Sequence, residues 1–190
     1  MAHPESYKTQ VSVPLPPEAA IKNVIGDGYN PETTLNVIKM MAGTEDMYGA
    51  CAGFIRELFR TEGVSPRIRE MIMLRVAKVL NSPYEWQANT VLAKNIGLTA
   101  SEIEAASSEG PVLGIAPEYV FICQVTDELS LSATLSDLNL TGLLERYGEV
   151  VTRKLILIIS WFNLLSRFLN GCRVPLESTD KIGQGTTPLQ

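Results

Sequence analysis

The chain has 190 residues, the size of one ordinary domain, and 45% are hydrophobic against 19% charged, which excludes an intrinsically disordered chain. Sixteen Lys and Arg against 21 Asp and Glu leave a net charge of −5 with no basic stripe, so nucleic acid is not an expected partner. The longest apolar run, Leu155 to Phe162 broken only by Ser160, falls short of the roughly 20 residues that span a bilayer, and Met1–Gln10 is too polar for a secretory signal, so no membrane association is expected.

Residues 1–29 carry four prolines and then Gly26 and Gly28, which predicts an extended N-terminal arm with a short helical turn at Glu18–Val24. Asn30-Pro31 reads as an N-cap followed by proline at the first helical position, opening a short helix to about Met41 that Gly43 ends. Thr44 is placed to cap the next helix, with Glu45 and Asp46 in its first turn and Met47, Cys51, Phe54, Ile55, Leu58 and Phe59 on one buried face; Gly63 stops it. Ser65-Pro66 caps a helix to about Asn81, and Ser82-Pro83 caps another that ends at Gly97. Thr99 and Glu102 form a T-x-x-E capping box. Pro117 starts a helix ending near Ser132, Asp137–Tyr147 forms one closed by Gly148, and Glu149–Asn170, closed by Gly171, is the most apolar. Residues 171–190, with Pro175, Gly183, Gly185 and Pro188, read as a C-terminal arm. No stretch shows sustained period-two alternation with hairpin signals, so the fold class is all-α, with a helical domain over 30–170 between the two arms. The apolar residues Val11, Val13, Leu15, Val174 and Leu176 give the arms the means to wrap a neighbouring subunit.

The three cysteines, Cys51, Cys123 and Cys172, are odd in number and widely separated, which predicts a reduced, cytoplasmic chain without a disulfide framework. The single histidine, His3, lies in the polar start, so neither a histidine-based metal site nor a Ser-His-Asp triad or Cys-His dyad is expected. Proton transfer near neutral pH then falls to carboxylates, tyrosines, lysines or cysteines.

The helix from Pro66 carries two apolar stripes, Ile68, Met71, Ile72, Val76, Val79 and Met73, Leu74, Ala77, Leu80, so it is expected to be central. Glu70 lies on the second stripe. It reads either as an ion-pair partner of Arg67 or Arg75, or as a partly buried carboxylate of raised pKa suited to proton transfer. On the next helix Ser82 and Glu85 have the S-x-x-E spacing of a capping box, while Glu85 and Asn89 share a face four residues apart. Tyr84 and Trp86 read first as packing residues.

The run from Val64 to Asn89, with Ala93, Gly97-Leu98-Thr99 and Glu102-Ile103, resembles the carboxymuconolactone decarboxylase family, which includes the alkylhydroperoxidase D-like proteins. The strong resemblance covers roughly residues 60–106, and a looser one continues through Asp127-Glu128-Leu129 and Glu145–Gly148 to Trp161-Phe162-Asn163 and Phe168–Asn170. It implies a bundle of about eight helices whose subunits interdigitate as a homo-oligomer, a trimer or hexamer. Peroxidase members carry a glutamate, then a Cys-x-x-Cys pair and a histidine on the following helix. Here Glu70 holds the glutamate position, Ser82 and Glu85 stand 12 and 15 residues later at the cysteine positions, and Asn89 holds the histidine position. Serine without a base does not replace a peroxide-attacking thiolate, so thiol peroxidase is the least favoured activity. Decarboxylase-like members keep a histidine near this point, and Gln87, Ala88 and Asn89 include none.

The favoured expectation is a cofactor-free lyase or isomerase, decarboxylase-like, acting on a small carboxylate or ketone, with a cyclic one preferred. Glu70 and Glu85 are its candidate catalytic residues, and Asn89, Ser82, Tyr84, Trp86 and Arg75 its candidate substrate contacts, with Arg69 an alternative partner for a substrate carboxylate. The alternative is a non-catalytic small-molecule-binding or scaffold oligomer, which loss of the cysteines and histidine also fits. No metal is assigned, although two glutamates and an asparagine are ligands a hard cation such as Mg²⁺ accepts.

Overall fold

The computed structural model describes residues 3–189, and among them the chain is all-α. The helices are α1 (Glu18–Ile25), α2 (Asn36–Ala42), α3 (Tyr48–Arg60), α4 (Pro66–Val79), α5 (Pro83–Asn95), α6 (Ala100–Ala106), α7 (Pro117–Ser132), α8 (Asp137–Cys172) and α9 (Thr179–Ile182). Short 3₁₀ turns occupy Gly26–Gly28 and Glu45–Met47. Helix α4 is the axis, packed by α5, α6, α7 and α8, and every residue from Ile68 to Ala77 is buried. Its start follows from the sequence: Ser65 accepts the Ile68 N–H, and Pro66 occupies the first helical position, where its missing N–H costs nothing.

A helix buried on all sides must dispose of its charges. Arg75 does so completely. Its guanidinium pairs with both oxygens of Asp127 on α7, at 2.5 and 2.7 Å, and gives its remaining N–H groups to the carbonyls of Ala106, Ser108 and Gly110. All five guanidinium donors are thereby used, and one side chain ties α4 to α7 and to the loop after α6.

The α4–α5 turn sets the position of everything downstream. Asn81 has φ +48°, and the Ser82 N–H reaches back to the Ala77 carbonyl at 2.8 Å, a Schellman closure with asparagine in the left-handed position. Asn170 of α8 donates to the carbonyls of Leu80 and Asn81, and Tyr7 of the N-terminal arm donates to Asn170. The arm therefore lies on its own chain, joined further by Val13 N–H to Cys172 O and by His3 tilted against the Trp86 ring at 5.1 Å.

Several local expectations need correction. Asn30 caps a single turn, accepting the Glu32 N–H, and α2 starts only at Asn36. Thr44 caps nothing; its hydroxyl donates to Met41 O, and the segment behind it is 3₁₀ before α3 begins at Tyr48. Met47 is exposed and is not part of the buried face. Gly171 does not stop α8, which runs two residues on to a left-handed Arg173, closed by Val174 N–H to Leu169 O. The expected break at Gly148 is present: with φ +70° it interrupts the helical dihedrals, so α8 is two helices set end to end. By length and composition α8 could cross a membrane, a pattern it shares with core helices, and it packs against α4, α5 and α7.

The two predicted capping boxes separate. At Thr99 both reciprocal bonds form, Glu102 N–H to Thr99 Oγ1 and Thr99 N–H to Glu102 Oε2. At Ser82 neither forms: the hydroxyl is buried without a hydrogen-bond partner among the described residues, and Glu85 points elsewhere. Thr99→Ala is therefore expected to cost about 1 kcal/mol. Ser82→Ala, which removes only an unsatisfied buried hydroxyl, is expected to leave stability within about 0.5 kcal/mol or raise it. Denaturant unfolding of both variants checks this; equal losses would mean that Ser82 does cap.

Candidate functional site

Helix α5 begins with Pro83 at its first position, so the turn at Asn81 fixes which way Tyr84, Glu85 and Asn89 project. Glu85 and Asn89 point inward together. Asn89 Nδ2 donates to Glu85 Oε2 at 2.8 Å, and both residues are buried. They line a cavity of about 20 Å³, whose other walls include Leu35 and Val37 from the start of α2, Met73 of α4, Tyr84 and Leu92 of α5, Phe162 and Leu165 of α8, and Pro188 from the C-terminal segment. That volume holds about one water molecule. The walls are otherwise apolar, so the Glu85 carboxyl is the titratable group of a small, mostly apolar chamber, with Tyr84 committed elsewhere. Burial pushes Glu85 up to about 7, against the opposing pull of the Asn89 amide.

Glu70 lies behind this chamber and is not on its wall. It is wholly buried, and neither carboxylate oxygen has a hydrogen-bond partner among the described residues. Arg69 Nε stands 3.8 Å away, and the same guanidinium lies over the Phe59 ring at 4.3 Å and donates to Phe59 O. Burial raises Glu70 to about 8, the Arg69 charge opposes this, and the like charge of Glu85 adds to it. Glu70 therefore carries its proton at neutral pH, which accounts for a carboxyl held among apolar side chains with no donor within hydrogen-bond distance. The ion-pair reading with Arg67 or Arg75 does not hold: Arg67 pairs with Glu102, and Arg75 with Asp127.

The remaining candidates divide. Tyr84 lines the cavity, but its hydroxyl is taken, donating to Glu177 Oε1 at 2.6 Å and accepting the Val37 N–H at 3.0 Å. Ser82 and Trp86 are buried away from the cavity wall, Trp86 under His3. Arg75 is spent on Asp127 and three carbonyls, as described, and is not brought to the pair. Among the described residues no three His, Cys, Asp or Glu side chains gather into a group able to hold a metal.

Three residues that matter here were not foreseen. Glu177, Pro188 and Tyr7 come from the arms: Glu177 holds Tyr84, Pro188 forms cavity wall, and the Tyr7 hydroxyl, raised to about 12 by burial first and then by the Glu85 charge, lies within electrostatic reach of the site. The only signal for the first two was the sprinkling of apolar residues in an otherwise polar tail.

This pair of helices is also where the chain matches known sequences. Residues 45–126 match the sequence model of the Carboxymuconolactone decarboxylase family. The matched segment, less than half of the chain, is similar to that family's domain. It contains α3 from its start through α6 and most of α7, and it holds Glu70, Ser82, Glu85 and Asn89. That likeness suggests a decarboxylase-like or alkylhydroperoxidase-like function as the general class. The curated proteins contain no match to the chain.

The raised carboxyls make stability depend on pH with a definite sign. A carboxyl whose folded pKa exceeds its ordinary value of 4.5 binds its proton more tightly in the folded state. Its contribution is complete below about 4.5 and is lost as pH rises towards 8. Wild type minus Glu70→Gln, measured by urea unfolding from pH 5 to 9, is expected to fall as pH rises to about 8 and then to level off. A flat difference would show that Glu70 is not held protonated.

Proposed function

We propose that this chain is a cofactor-free lyase or isomerase of the decarboxylase-like kind, acting on a small carboxylate or ketone, a cyclic one preferred. The observation that carries the reading is Glu85: a carboxyl that titrates near neutrality, inside an apolar chamber, held by an amide that keeps a second N–H free. In a decarboxylation the bond to the carboxylate carbon breaks, CO₂ leaves, and the electron pair passes into the neighbouring carbonyl as an enolate. Glu85 then delivers its proton to carbon and is reprotonated from solvent. The free Asn89 N–H suits the enolate oxygen. Glu70, neutral behind the wall, keeps a second negative charge away from Glu85 at the pH where Glu85 works.

The same chemistry argues against the peroxidase alternative. Of the three free thiols none stands on α5, and burial lifts Cys123 to about 12, far from a reactive thiolate. Free thiols also support a reducing, cytoplasmic setting. A second reading, a non-catalytic binding or scaffold oligomer, draws on the cavity's small size and on the commitment of Arg75. The two readings diverge at Glu85→Gln. With a panel of β-keto acids and enol lactones, CO₂ release or ring opening by the wild type is expected, and the variant should turn over roughly 10²–10⁴-fold more slowly with its helix content intact. A panel without turnover favours the scaffold, and equal turnover by the variant removes Glu85 from the chemistry.

We also propose that the protein assembles as a homo-oligomer, a trimer or hexamer. Support comes from the outer face of α8, where Leu157 and Leu164 are 52% and 54% exposed two helical turns apart. Light scattering on a sizing column at micromolar concentration is expected to give a multiple of 20.8 kDa; the monomer mass would refute assembly.

A further inference from the structure

Two walls of the Glu85/Asn89 cavity lie outside the helices, Leu35 at the N-cap of α2 and, from the C-terminal segment, Pro188. The segment that delivers it, 174–189, crosses α5 and is fastened at a few points. Gln87 and Glu177 exchange a pair of bonds, Gln87 Nε2 to Glu177 O and Glu177 N–H to Gln87 Oε1, each 3.0 Å. Further along, Asn95 Nδ2 donates to the carbonyls of Gly183 and Gly185. At the centre the buried Glu177 carboxylate accepts from the Tyr84 hydroxyl and from the Asn36 N–H through Oε1, while Lys181 Nζ stands 3.3 Å from Oε2. Helix α2 has Leu35 at its N-cap, a residue with no side-chain acceptor, so Glu177 supplies from 141 residues away the cap its own sequence lacks. Leu35 and Val37 are cavity wall, and so is Tyr84. One carboxylate thus fixes two walls and the segment that bears a third.

We propose that residues 174–189 form a strap that closes the Glu85/Asn89 cavity, with Glu177 as its latch, and that the strap releases to admit a small cyclic carboxylate or ketone. A chamber of about 20 Å³ accommodates a water and not a ring, so some wall must move for any organic ligand to reach Glu85. The helices that form the other walls are held by their own backbone bonds and by core burial. From Gly183 onward the strap is irregular chain tied by side-chain bonds to its carbonyls, the lower-stability element that local opening selects. The assignment rests on the cavity being the reaction site proposed above, but the strap is read out by access rather than turnover, so either can fail alone.

The test places a reporter thiol in the cavity. Ala88, a wall residue, is changed to cysteine in the full-length protein, and its alkylation by iodoacetamide is followed peptide by peptide in a mass spectrometer. Adding Glu177→Ala, which removes the latch, is expected to speed alkylation at residue 88 roughly tenfold or more, as the loss of charge-assisted bonds that hold a segment closed predicts. Glu177→Gln keeps an oxygen for Tyr84 and Asn36 and should restore most of the protection. Cys123, wholly buried on α7, reports general loosening in the same sample. An unchanged rate at residue 88, or a parallel rise at Cys123, overturns the strap. If Ala88→Cys does not fold, hydrogen exchange of the otherwise native chain decides: Glu177→Ala should accelerate the amides of Asn36, Val37 and Glu177 while leaving α4 unaffected, and unchanged exchange at those amides overturns the proposal.

Discussion

Complete burial of α4 is the constraint on which the rest of the structure depends. Ten consecutive residues of this helix are buried, and three of them, Arg69, Glu70 and Arg75, are ionisable. Isolated charge in such a place is prohibitively costly, so each has to be paired, shielded or neutralised. Arg75 is paired, with every donor used. Arg69 spreads its guanidinium over Phe59 and bonds one carbonyl. Glu70 takes the third route and keeps its proton. The chemistry available at the adjoining cavity is a consequence of how these three problems are solved.

Helix α5 inherits its orientation from the end of α4. The left-handed Asn81 turns the chain within two residues, and Pro83 restarts a helix at once, so Glu85 and Asn89 are delivered to the seam between α4, α8 and α2 instead of to solvent. Both arms then reinforce that seam: Tyr7 steadies Asn170 and through it the turn, while Glu177 steadies Tyr84 and the start of α2. The matched segment at 45–126 contains Glu70, Glu85 and Asn89, while Leu35, Val37, Phe162, Leu165 and Pro188 of the cavity wall come from outside it.

The missing serine cap has a specific cause. Ser82 and Glu85 satisfy the spacing of a capping box as well as Thr99 and Glu102 do, yet only the second pair forms one. Thr99 sits on the surface, where Glu102 closes the box and accepts from Arg67 at the same time. Glu85 is drawn inward by Asn89, and once it has turned to face the cavity it no longer reaches back to the Ser82 N–H, which the Schellman closure has already taken. A local motif yields here to tertiary packing and to a side-chain amide one turn away.

The sequence by itself determined the all-α class, the start of α4, the extent of α7, the box at α6, the break at Gly148, and the placing of Glu85 and Asn89 on one helix face. These follow from proline, glycine, capping residues and the i,i+4 spacing, whose effects act within one or two helical turns. Tertiary structure alone decided that Glu70 stands behind the cavity and not in it, that Arg75 is bound to Asp127, 52 residues away, and that the C-terminal segment seals the chamber through Glu177 and Pro188. Those outcomes depend on which distant groups compete for a buried donor or carboxyl. Periodicity reports that a face is buried but carries no record of what is buried against it.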